Sequence, residues 1–189
     1  MKSFHIETER LILRNILPTD VDGMFELDSD PKVHRYLGNN PITSKNQSEK
    51  VIQSVIKQYE EIGIGRWAMV NKQTNEFIGW SGLKLNTITL NGHTNFFDVG
   101  YRIIRKFWGN GYATEALREI IKFGFSGSLP CGALNRIQGD TVPGNVASEA
   151  VLKKIGFKEE GLLRESGYWK GRFHDLNCFG LIKSEYNEI

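Results

Sequence analysis

The chain has little cysteine. Cys131 and Cys178 are the only two among 189 residues, too few for the cross-linked framework of a small secreted domain. Both are expected as free thiols, and Cys178, which alternates with polar Asn177, reads as a small buried side chain. No apolar run approaches the roughly 18 residues of a spanning helix. Residues 1–10 hold no signal-peptide core. A cytoplasmic protein with no membrane partner is the expectation.

Charge of one sign is also lacking. The formal net charge is +2 and no Lys/Arg block stands out, so nothing points to a nucleic-acid partner. His5, His34 and His93 are isolated, and no His/Cys/Asp/Glu group has metal-ligand spacing, so no metal is expected. Gly-Lys-Ser/Thr does not occur, which excludes a P-loop. A dinucleotide fingerprint fails too: Thr114 stands at its third glycine position, and residues 129–137 contain no acid.

What is present fits one domain over residues 1–189, long enough for a substantial core. Residues 10–14 read as a strand. Pro18-Thr19-Asp20 starts a helix through Leu27 with Thr19 or Asp20 as cap, and Asp30-Pro31 begins a short helical stretch. Ser44 and Gln47 form a capping box before the stripe Val51, Ile52, Val55, Ile56, Tyr59, Ile62, which ends at Gly63 and Gly65. Strands follow at 66–70 and 77–85, then a turn at Asn91-Gly92 and a strand at 96–104. A further strand is read at 136–142. Asn145 caps a helix that stops at Gly156, and strands at 162–168 and 176–182 flank a turn at Lys170-Gly171. Trp67, Trp80 and Trp108 read as core or cleft lining. The layout is mixed α/β.

The most informative segment is 105–117. Gly109 and Gly111 separate the strand from a helix with the stripe Ala113, Ala116, Leu117, Ile120, Ile121, Gly124. A glycine-bearing turn that opens a helix gathers unpaired N–H groups and the positive end of the helix dipole, which suits phosphate oxygens. With the other two loops excluded, the pyrophosphate of a coenzyme A molecule remains.

Trp108-Gly109-Asn110-Gly111-Tyr112-Ala113 resembles the acetyl-CoA loop [Q/R]-x-x-G-x-[G/A] of the GNAT superfamily of N-acetyltransferases, with Trp at the first position as in its ribosomal-protein N-acetyltransferase branch. Three more segments resemble that branch: Thr8-Glu9-Arg10-Leu11-Ile12-Leu13-Arg14, Asp98-Val99-Gly100-Tyr101-Arg102-Ile103, and Asn145-Val146-Ala147-Ser148 with its Lys154-Ile155-Gly156-Phe157 sequel. Together they cover about residues 8–183. The resemblance implies the GNAT fold, a central mostly antiparallel sheet splayed at the cofactor cleft and flanked by helices.

It also implies acetyl-CoA as acyl donor and an amine acceptor. Trp108, Gly109, Asn110, Gly111, Tyr112, Ala113 and Thr114 would hold the pyrophosphate. The preceding strand would bulge and splay, so that Tyr101, Arg102 and Ile103 pair with the pantetheine arm and one N–H there serves the oxyanion. Asn145 would contact the pantetheine besides capping its helix. Ser148 would steady the departing thiolate, a modest task because a thiol pKa lies near about 8.5; its alternative is a plain helix-start residue.

Asp98 is the best-placed carboxylate for a general base, with a sheet hydrogen bond as its alternative. His174, near Tyr168-Trp169 and Phe173, reads as an exposed turn residue. The preferred acceptor is a protein N-terminal α-amine. A small amine such as an aminoglycoside or polyamine is the alternative, and a non-catalytic acyl-CoA sensor is the rival from another class. Relatives are often homodimers, but the sequence does not fix the oligomeric state.

Overall fold

A computed structural model of the chain describes residues 4–86 and 96–186. The chain opens with two short strands, β1 (His5–Glu7) and β2 (Leu11–Asn15), and two helices, α1 (Val21–Ser29) and α2 (Lys45–Ile62). Strands β3 (Arg66–Asn71), β4 (Phe77–Asn86) and β5 (Phe96–Ile103) lead to α3 (Tyr112–Ser126). Then come β6 (Arg136–Thr141), α4 (Val146–Lys154), β7 (Lys158–Trp169) and β8 (Arg172–Ile182). Among the described residues one sheet holds all eight strands in the order β1-β2-β3-β4-β5-β6-β8-β7, and only β5 and β6 pair in parallel. This is the mixed, mostly antiparallel sheet with flanking helices that the sequence predicts.

Periodicity explains the helices. All six residues of the predicted α3 stripe are buried, joined by Thr114 and Phe125, and burying each Leu or Ile contributes about 1.5–3 kcal/mol. In α2 the predicted residues Ile52, Val55 and Tyr59 are buried. The box at its start is formed, with the Ser44 N–H donating to Gln47 Oε1 at 3.0 Å, and the helix stops at Gly63 in a left-handed conformation (φ 74°).

The two faces of the sheet are covered differently. Leu83 of β4 lies against Gly124 of α3, and Val99 of β5 meets Leu152 of α4 over Gly139. On the opposite face α1 packs on β4, and Asp28 of α1 is ion-paired with Arg102 of β5.

Several local features differ from the sequence reading. β1 was not expected. Residues Pro18–Asp20 form a 3-10 turn, and α1 begins only at Val21. Asp20 holds the cap position, but its carboxylate takes Arg14 at 2.7 and 2.8 Å and the Leu17 N–H at 2.8 Å, so it does not cap the helix. The helical stretch after Pro31 is a 3-10 turn, Val33–Tyr36. The closing hairpin is longer at both ends than predicted and turns through Lys170 and Gly171, with φ 52° and 71°. The turn at Asn91-Gly92 and His93 lie outside the described residues. No helix among the described residues is long and apolar enough to cross a membrane.

Candidate active site

β5 and β6 share a ladder of only two residue pairs, Phe97↔Ile137 and Asp98↔Gln138. Beyond it β6 continues with β8, while β5 keeps β4 as its neighbour through Gly79↔Ile103. The sheet is therefore split between β5 and β6 from Val99 onward. The predicted splay is present, but the predicted bulge is not, because the β4–β5 register runs without a shift.

Strand parity decides which backbone groups face the split. The Ile104 N–H donates to the Ile78 carbonyl at 2.9 Å. In an antiparallel ladder this alternation turns Gly100 and Arg102 toward β4, and turns the N–H and C=O of Tyr101 and Ile103 toward the opening. Arg102 thus departs from its predicted place: its backbone lies in the ladder, and its side chain reaches Asp28 on the far face. The Ile103 carbonyl takes the indole N–H of Trp108 at 2.7 Å. Trp108 thereby folds back to brace the end of β5.

The loop that follows is glycine-dependent for a conformational reason. Gly109 and Gly111 have φ of 77° and 79°, in the left-handed region. A Cβ on Gly109 would meet nothing within 4 Å, so the surface above it is open. Gly111 caps α3 without any side-chain cap, and the Glu115 N–H is the first to close on it, donating to the Gly111 carbonyl at 3.1 Å. The N–H groups of Tyr112, Ala113 and Thr114 have no carbonyl of their own helix behind them. Asn110 donates from its side-chain amide to the carbonyls of Phe107 and Trp108 at 3.1 and 3.2 Å, bracing the turn from within.

A strap that sequence reading missed fixes this loop to β2. Arg10 donates to the Asn110 carbonyl at 2.9 Å, pairs with Glu115 at 2.7 Å and stacks over the Tyr112 ring at 4.6 Å. Glu115 also accepts from the Thr8 hydroxyl and from the Arg10 N–H. Burial raises the Glu115 pKa, but the Thr8 and Arg10 hydrogen bonds together outweigh it and hold the carboxyl below its ordinary range. A cleft of about 630 Å³ opens beside Gly111 and Thr114, with Arg118, Lys122 and Lys154 on its wall.

Across the split, Asn145 and Ser148 sit at the start of α4. The expected side-chain cap by Asn145 is absent. Its φ and ψ of −82° and 60° lie off the extended values of a capping residue, and its backbone carbonyl instead takes the N–H groups of Ser148 and Glu149 at 3.0 and 3.1 Å. The Tyr101 hydroxyl donates to Ser148 Oγ at 3.1 Å. Burial raises the Tyr101 pKa, and the bond to Ser148 opposes this.

Asp98 is on the other face of β5 from Tyr101. Its Oδ2 accepts from the Asn86 amide at 2.5 Å, while its buried Oδ1 has no hydrogen-bond partner. Burial pushes its pKa up. The two residues predicted as catalytic, Asp98 and Ser148, are thus set on opposite faces of the sheet at the point where it splits.

The remaining candidates are plain. His174 stacks on Trp169 with ring centroids 3.9 Å apart. Cys131 and Cys178 are free, and burial pushes the Cys178 thiol up to about 11, far from a nucleophile's range.

Comparison with known proteins agrees with this geometry. The family model described as "Acetyltransferase (GNAT) domain" matches residues 10–158. An N-acetyltransferase of Bacillus licheniformis, p20, itself uncharacterized, is 35% identical over 95% of this chain and 96% of its own length. Two solved structures share the fold. A ribosomal-protein-S5-alanine acetyltransferase from Vibrio fischeri superposes with a TM-score of 0.76 at 19% identity, over 97% of this chain and 99% of that one. A spermidine N-acetyltransferase from Vibrio cholerae, in complex with CoA and spermine, gives 0.73 at 21% identity, over 93% and 97%. A split sheet, a glycine loop at a helix start and a family match over most of the sequence agree: this chain belongs to the GNAT family of N-acetyltransferases.

Proposed function

We propose that this N-acetyltransferase moves an acetyl group from acetyl-CoA to the N-terminal α-amine of a protein by direct attack. The observation that carries the reading is the continuity of two backbone surfaces. The open edge at Tyr101 and Ile103 is followed, one turn and a short loop later, by the N–H groups at Gly111, Tyr112, Ala113 and Thr114. An elongated ligand with a diphosphate at one end and amide groups along its arm fits that track. The open space above Gly109 leaves room for its phosphates.

Bound acetyl-CoA supplies the thioester whose acyl group the amine takes and whose thiolate departs. The chain's own groups do the rest. Amides at the start of α3 bind the diphosphate, aided by the helix dipole. The N–H groups of Tyr101 and Ile103 pair with the arm or serve the oxyanion. The Tyr101 hydroxyl, by donating to Ser148 Oγ, leaves the Ser148 proton free to point at the departing sulfur. A thiolate near pKa 8.5 needs only that hydrogen bond.

Asp98, kept from full solvation, takes the proton from the incoming amine. An α-amine with pKa about 7.7–8.0 is partly neutral at physiological pH and suits a single carboxylate better than a lysine amine near about 10.4. Neither cysteine fits a covalent route, since Cys178 is held protonated and Cys131 is exposed at residues 127–134, past the end of α3. We assign the whole of residues 1–189 to one such domain, working in the cytoplasm with its own two cysteines reduced.

The spermidine acetyltransferase with the same fold supports a small amine as second reading. Thiol release from acetyl-CoA, followed over a panel of N-terminal peptides, spermidine and aminoglycosides, separates the two. Turnover of peptides is expected. Coenzyme A binding with no turnover on any amine would instead make the chain a sensor.

A further inference from the structure

The sheet face turned away from Ser148 carries a cluster that acetyl transfer itself does not use. Arg66 of β3 and Arg102 of β5 both lie over the indole of Trp80, with Cζ to ring-centroid distances of 4.7 and 5.4 Å. Trp80 is only 7% exposed, so the ring is a floor beneath two guanidinium groups. Asp28 is the carboxylate that meets them, and it pairs with Arg102. His34 stands 3.7 Å from the same oxygen, too far for a hydrogen bond, and burial lowers its pKa, so it adds no third cation.

Arg66 is half-buried and has no carboxylate within ion-pair distance among the described residues. Arg102 Nε is buried without a hydrogen-bond partner. Two guanidiniums against one carboxylate leave an excess positive charge in a half-buried place. That arrangement is costly unless an anion completes it.

The position of the cluster says where such an anion comes from. Gly100, next to Tyr101, shares this face of β5 with Arg102. A Cβ there would meet only the Trp80 ring, at 3.6 and 3.8 Å, so the strand is bare beside the indole. β3 lies two strand spacings from β5, about 10 Å, and one extended residue spans about 3.3–3.6 Å.

We propose that Arg66 and Arg102, floored by Trp80, bind a side-chain carboxylate carried by the second or third residue of the acceptor peptide. This rests on the peptide α-amine reading above and specifies its substrate class: acidic N-termini are selected and polycations are turned away. Arg66 is the open donor, since Asp28 already occupies one side of Arg102. A fork of parallel N–H groups suits a carboxylate bidentately.

The test uses three otherwise identical peptides beginning with Ala and carrying Glu, Gln or Lys at the second residue. Wild-type kcat/KM is expected to favour Glu over Gln by about 10-fold, chiefly through KM, and the ratio should shrink as salt is added. Arg66→Gln should collapse the Glu-to-Gln ratio to below about 2-fold, and Arg66→Lys should retain part of it, with coenzyme A affinity reporting an intact fold. A wild-type preference for Gln or Lys, or a Glu preference that survives Arg66→Gln, overturns the assignment while leaving peptide acetylation standing. Turnover of spermidine with no peptide accepted overturns both.

Discussion

The hydroxyl of Tyr101 donates to Ser148 Oγ across 3.1 Å, joining the last free stretch of β5 to the first turn of α4. The strand thereby sets a tyrosine against the helix residue that the proposed mechanism assigns to the departing thiolate.

If the pair acts as one relay, Tyr101→Phe and Ser148→Ala should each lower kcat, by about 10- to 100-fold for Ser148 and by less for Tyr101. The double variant should be no slower than the Ser148 variant alone, because neighbours in one network are not additive. KM for acetyl-CoA should barely move in Tyr101→Phe, since the backbone at that position is retained. Fully additive losses would break the relay into two independent residues.

Gly111→Val places a branched residue where φ is 79°. Such residues resist that conformation by at least about 1–2 kcal/mol, and the new methyls crowd the approach to the amides of α3. KM for acetyl-CoA should rise by about 10-fold or more, with a smaller fall in thermal stability. Unchanged affinity by calorimetry would remove the diphosphate from this loop.

Asp98 gives a pH dependence of known sign. Its pKa in the folded protein lies above its ordinary 3.8, so the native state binds more protons between the two values than the unfolded state does. Stability should therefore fall as pH rises through that window, and the full cost of the desolvated charge should persist above it. Asp98→Asn should unfold at higher temperature than wild type at pH 7, with the gap closing near pH 4, while its catalytic rate drops most between the pKa of Asp98 and that of the amine, where the base is charged and the amine still holds its proton. A variant equally slow at every pH would mark Asp98 as structural.

Glu115 behaves oppositely. Its folded pKa lies below its ordinary 4.5, so its contribution is complete above that value and is lost as pH falls through the folded pKa. Glu115→Gln should be less stable than wild type at neutral pH and equally stable in strong acid, and its KM for acetyl-CoA should rise because the Arg10 strap loosens. Thermal melts from pH 3 to pH 7 on both proteins check this.

Much of the scaffold was legible because it is local. The α3 stripe, the box at Ser44 and Gln47, and the positive φ at Gly109 and Gly111 follow from periodicity, short-range hydrogen bonds and steric limits within a few residues. The parity of β5 was not legible, since it is set by the partner strand through Ile104 and Ile78. With it went the true facing of Arg102 and the meeting of Tyr101 with Ser148. The cap at Asn145 failed for a related reason: the entry of the chain into α4 from the Val142–Asn145 turn overrides the preference of the side chain. Arg10 was read as strand, and only the fold shows that it ties Glu115 to Asn110.

The two-pair ladder between β5 and β6 has a thermodynamic consequence. Apart from the short β1–β2 ladder, every other strand pairing is more than twice as long, so the block β1–β5 and the block β6–β8 share few backbone hydrogen bonds. A molecule that paired with both edges of the gap, as proposed for the coenzyme arm, would act as a further strand common to both blocks. Amide protons on either side of the opening should then exchange with solvent more slowly once the gap is filled, and the two blocks should come apart at a single, higher temperature.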